Sequence, residues 1–111
     1  NFLLNFYVKR IQEKVKIFCE KNKLSSSLEH RVLDMISELG EFSKEILKAN
    51  NYGEETIVLN NKLKMELGDV FFSLITIANS IDIDLDKSLN KVLKKYQKRL
   101  NTRLTPASSN D

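Results

Sequence analysis

The chain of 111 residues has one cysteine, one proline, three glycines, one histidine and no tryptophan. A lone Cys19 excludes an internal disulfide and fits a reducing cytosol, so a cytoplasmic protein is expected. So few glycines and prolines leave little room for the tight turns of a strand-rich fold. The one histidine, His30, has Ser27 and Leu33 three residues away, so the Glu-x-x-His motifs of a di-iron carboxylate bundle are absent. Long apolar runs are missing too. The longest, Val70 to Ala78, contains Ser73 and Thr76 and is too short to span a bilayer. The opening NFLLNFYVKR lacks the basic-then-apolar order of a secretory signal. Neither sign of charge dominates: 18 basic and 15 acidic residues leave +3, which argues against a nucleic-acid partner.

What is present is helical periodicity. Apolar residues at Phe6, Val8, Ile11, Val15 and Phe18 mark a first helix from about Phe2 to Lys21. A break follows over Lys23 to Ser27. Ser26 with Glu29 has the form of a capping box, placing the start of a second helix there. That helix carries Leu28, Val32, Met35, Leu39, Phe42 and Ile46 and stops at Asn50-Asn51-Tyr52-Gly53. A polar connector over Glu54 to Asn61 has room for a short extra helix. A third helix is expected from about Asn61 to Ser80. A fourth, capped by Asp84, is expected to run to about Leu104 on Leu89, Val92, Leu93, Tyr96 and Leu100. The expected architecture is an all-α four-helix bundle, one domain over residues 1–104 with a flexible tail over 105–111.

Two acidic pairs stand out within this helical sequence. Glu38 and Glu41 lie three apart in SELGE, and Glu66 and Asp69 lie three apart in MELGD. That spacing sets both carboxylates of a pair on one helix face, where like charges repel. At about 100° per residue, the acids border the apolar stripes instead of opposing them. Two such helices packed face to face bring four carboxylates to the rim of one cleft, where a cation would offset the repulsion. Oxygen ligands without His or Cys select magnesium, with manganese as a substitute, over zinc or copper. Basic residues cluster late, with Lys91, Lys95 and Arg99 on one stripe, and Lys62 lies one turn before Glu66. Acids for metal and bases for phosphate suggest phosphoanhydride hydrolysis.

The third helix is also apolar nearly all round over VFFSLITIA, and such a helix must be covered on most sides. In so short a chain the extra cover is expected from another subunit, with Met65, Phe72 and Ile75 at the interface.

The segments LDMISELGEFSKEILKANNYG and KMELGDVFFSLITIANSIDIDLDKSLNKVLKKYQKRL resemble the MazG-like nucleotide pyrophosphohydrolases, an all-α group whose signature is E-x-x-E, a spacer, then E-x-x-D. Here the signature residues are Glu38, Glu41, Glu66 and Asp69, and the resemblance runs from about Leu28 to Arg99. It implies magnesium-dependent cleavage of a nucleoside triphosphate between the α and β phosphates, releasing a monophosphate and pyrophosphate. The four acids would be metal ligands, with Glu38 also orienting or deprotonating the attacking water. Lys62, Lys95 and Arg99 match basic positions that members use to hold phosphates. Members assemble as homodimers or as dimers of dimers.

The chain also departs from that pattern. Many members have a further Glu directly before the first motif acid, where this chain has Ser37. Glu45 and Asp34 are the residues available to restore that charge. Some members stack the base on Trp, a task left here to Tyr96, Phe6 or Tyr52. A catalytically silent interaction module is the alternative that Ser37 keeps open.

Overall fold

The computed structural model describes residues 2–102, with side chains from Tyr7 onward except Val8. Four helices follow one another: α1 (Phe2–Lys21), α2 (Leu28–Ala49), α3 (Asn61–Ser80) and α4 (Leu85–Asn101). No strand occurs among the described residues, so the fold is all-α as expected. The connector between α2 and α3 holds turns and extended chain, and no extra helix forms there. No helix among the described residues is long and apolar enough to cross a membrane.

Side-chain caps set where the helices start. The first amides of any helix lack intrahelical partners. On α2 the Ser27 hydroxyl accepts from the His30 amide at 3.2 Å. The cap is therefore Ser27, one residue later than the expected Ser26–Glu29 box, and its extended backbone (φ −68°, ψ 156°) is the geometry a cap needs. Asn60 accepts from the Leu63 amide at 2.9 Å. Asp84, as expected, accepts from the Lys87 amide at 3.1 Å. The asparagine-rich terminator ends α2 through left-handed Asn51, Tyr52 and Gly53 (φ 49°, 57° and 93°). Within it the Gly53 amide donates to the Asn50 side chain at 2.9 Å. Helix α4 ends at Asn101 with Thr102 as its cap, short of the expected Leu104. Leu104 and the expected tail over 105–111 lie outside the described residues.

The main packing is α2 against α3, with α1 laid on α3 and α4 laid on α1. Gln12 on α1 ties this end of the molecule together. Its side-chain amide donates to Ile83 O at 2.9 Å and to Asn79 Oδ1 at 3.2 Å. Its Oε1 accepts from the Leu85 amide at 3.0 Å, which satisfies an otherwise orphaned donor at the start of α4. Phe18 and Phe72 join α1 to α3 in an edge-to-face contact with centroids 6.2 Å apart.

The chain encloses little on its own. Among the described residues its apolar core consists of Leu63, Ile75 and Ala78. Its radius of gyration is 17.1 Å, against about 13 Å for a compact chain of this length. Met65, Leu67, Phe71, Phe72 and Leu74 are exposed along α3. Of the three residues expected at an interface, Ile75 is 1% exposed and belongs to the chain's own core, whereas Met65 and Phe72 lie open. The reason is that α1 and α4 already cover the face carrying Ile75, so a nearly all-round apolar helix needs less outside cover than its sequence suggests.

A candidate metal centre between α2 and α3

Steps of three and four residues place Arg31, Asp34, Glu38, Glu41 and Glu45 along one stripe of α2. The same steps place Lys62, Glu66, Asp69, Ser73, Thr76 and Ser80 along one stripe of α3. Packing α2 on α3 turns the two stripes into the walls of one cleft.

In the middle of this cleft Glu38, Glu66 and Asp69 each offer a carboxylate oxygen within 4.8 Å of the others. Glu38 and Glu66 are half-buried and Asp69 is exposed, so the group forms a rim open to solvent on one side. Burial, and then the negative charges of Asp69, Glu41, Glu66 and Asp34, hold the Glu38 carboxyl above the ordinary glutamate range. Glu66 Oε2 is enclosed with no hydrogen-bond partner. A buried acceptor left unmatched costs stability unless something electropositive meets it. The three residues therefore fit a hard divalent ion: all-oxygen donors, an excess of negative charge and one inward lone pair unused.

Glu41 is exposed and outside the close group of three, although its charge reaches Glu38. Glu45 does not restore the charge missing at Ser37. Its Oε1 lies 3.2 Å from Lys62 Nζ and 3.6 Å from Lys48 Nζ. The hydrogen bond and charge of Lys62 hold its carboxyl below the ordinary range. Asp34 adds a further negative charge on the Glu38 side.

Lys62 thus stands at one end of the cleft, on the first turn of α3. Lys95, Tyr96 and Arg99 lie on α4, which packs chiefly on α1. There Lys95 Nζ is 5.3 Å and Arg99 Cζ 6.0 Å from the centre of the Tyr96 ring, so the three form a cation–π cluster. Arg99 is buried, and Tyr96 is 38% exposed. Tyr52 is exposed on the α2–α3 turn, and the Phe6 side chain lies outside the described residues. The motifs single out neither Arg31 nor the pairing of Glu45 with Lys62. The stripe arithmetic could have found Arg31, but a cross-helix pair has no signature in a single sequence.

Comparison with known proteins agrees with the all-α fold. A model of the MazG nucleotide pyrophosphohydrolase domain matches residues 26–104. The uncharacterized protein YpjD of Bacillus subtilis strain 168 is 34% identical over 74 residues, covering 64% of this chain and 65% of that protein's length. The crystal structure of a Bacillus-conserved MazG protein, described as a nucleotide pyrophosphohydrolase, superposes with a TM-score of 0.68 at 30% identity. That match covers 80% of this chain and 87% of the other.

Proposed function

Because the chain belongs to the MazG nucleotide pyrophosphohydrolase family, we propose that it hydrolyses nucleoside triphosphates between the α and β phosphates with the help of magnesium. The products would be a nucleoside monophosphate and pyrophosphate. The observation carrying this reading is the convergence of Glu38, Glu66 and Asp69 within 4.8 Å around the unmatched Glu66 oxygen.

Glu66, Asp69 and Glu38 hold the divalent ion, and Glu41 joins them from the rim. When bound, the ion offsets charge on the reacting phosphates and polarises a phosphoryl oxygen. Glu38 orients the attacking water and takes its proton. Lys62 steadies the phosphate chain from the first turn of α3. Lys95 and Arg99 contribute cationic contacts from α4, and the Tyr96 face stacks the base. The exposed apolar surface of α3 is covered by further copies of the chain in a homodimer or tetramer, in the cytoplasm.

A panel of ribo- and deoxynucleoside triphosphates with magnesium or manganese, followed by product identification, tests the proposal. Monophosphate with pyrophosphate is the expected outcome. Diphosphate with orthophosphate would place the cleavage at the wrong bond, and no turnover with any member would favour the silent module.

A further inference from the structure

Beyond the carboxylates, toward the start of α2 and the end of α3, lies an open pocket of about 480 Å³ that the end of α1 and the α1–α2 turn also line. Lys16, Lys23 and Arg31 line it against a single carboxylate, Glu20. Arg31 is half-buried. Its Nη2 donates to the Leu24 carbonyl at 2.8 Å, and its Nε is enclosed without a hydrogen-bond partner. No carboxylate pairs with it among the described residues. A partly desolvated guanidinium whose one partner is a neutral carbonyl is costly unless an anion reaches it. The hydroxyls of Thr76 and Ser80 in the same wall donate to their own helix, to Ser73 O and Thr76 O. The attraction in this cavity is therefore cationic.

Arg31 precedes Glu38 by seven residues, two turns along the same helix face, or about 10 Å. A phosphate held at the carboxylates cannot also touch Arg31, but a single nucleotide is long enough to occupy both places. A planar fork of donors with two flexible ammonium groups beside it suits a phosphoryl group better than any other common anion. We propose that this cavity is a second phosphate-binding pocket, receiving either free orthophosphate or a phosphate carried on the sugar of the bound nucleotide. The first source is independent of the reaction proposed above, and the second rests on it.

The test is titration of the full chain, without divalent ions, with orthophosphate, with AMP and with adenosine 3′,5′-bisphosphate, followed by amide chemical shifts. The pocket predicts orthophosphate shifts over residues 16–31, or binding of the bisphosphate about tenfold or more tighter than AMP. Arg31→Ala and Lys23→Asn should each diminish whichever effect is seen. Lys23 is exposed with φ 54°, a left-handed conformation that Asn tolerates. Its variant therefore stays interpretable if Arg31→Ala, which loses the tie to Leu24, fails to fold. Asp69→Asn should leave the orthophosphate shifts intact, separating this pocket from the reaction site. Orthophosphate shifts without any gain from the 3′-phosphate would support the pocket and assign it to free phosphate. Absence of both effects in the unaltered chain, or their survival in both pocket variants, would overturn the proposal.

Discussion

Glu45 Oε1 on α2 and Lys62 Nζ on α3 lie 3.2 Å apart, joining the two walls of the acidic cleft at one end. An ammonium bound to a carboxylate offers less charge to a phosphate than a free one. Lys62→Ala should raise the KM for a triphosphate by about tenfold, the scale of one charge-assisted contact. Glu45→Gln should lower it, since the competing anion is gone. Steady-state kinetics of the two variants decide the point, and movement of KM in the same direction would remove Lys62 from the substrate site.

Asp69→Asn and Glu41→Gln each take one negative charge from the acidic rim while leaving an exposed side chain of similar shape. Metal-assisted charge stabilisation is worth several kcal/mol. Either variant should therefore lose roughly 100-fold or more in kcat/KM with an unchanged circular dichroism spectrum. Turnover retained in Asp69→Asn would be fatal to the assigned site.

Stability should bend with pH in opposite senses in the middle of the cleft and at its Lys62 end. Glu38 binds its proton more tightly in the folded chain. Its stabilising contribution is full below the ordinary glutamate pKa, about 4.3, and disappears as pH rises through the raised folded value. Glu45 is lowered, so its contribution is present above the ordinary value and is lost as pH falls through the lowered one. Thermal unfolding without divalent ions should show a fall in Tm as pH rises above the ordinary glutamate value, a fall that magnesium reduces and Glu38→Gln abolishes. An identical slope in Glu38→Gln would show that the fall arises from another group.

Ser27→Ala should cost about 1 kcal/mol, the usual worth of an N-cap, whereas Ser26→Ala should be close to neutral. Urea unfolding of the two single variants distinguishes them. The reverse order would restore the capping box read from sequence.

Phe71 is 50% exposed on α3 beside Leu67 and Leu74. Phe71→Glu places a charge where further copies of the chain are proposed to pack, and light scattering should record a fall in mass to that of the monomer. An unchanged mass would move the contact elsewhere.

The helical spans were legible because period and punctuation agree. Residues such as Met35, Phe42 and Ile46 repeat on one arc, and Asn50 to Gly53 closes the pattern with residues that accept left-handed backbone. Each acidic pair was legible for the same reason, since offsets of three and four need no tertiary information. Which serine capped α2 was not, because Ser26 and Ser27 differ only in a backbone angle set by the preceding turn. Nor was the core role of Ile75, which depends on how α1 and α4 fold back over α3. The pairing of Glu45 with Lys62 depends on the vertical alignment of two helices, a quantity that no single-helix pattern encodes.

The side chain of Gln12 contacts the α3 terminus, the following loop and the first amide of α4 at once. Since α4 rests chiefly on α1, this one amide acts as the hinge pin of the cationic arm carrying Lys95, Tyr96 and Arg99. The main packing of that arm is on α1. Its aim toward a ligand is inherited from α1, so a change at residue 12 would misdirect groups far downstream in the chain.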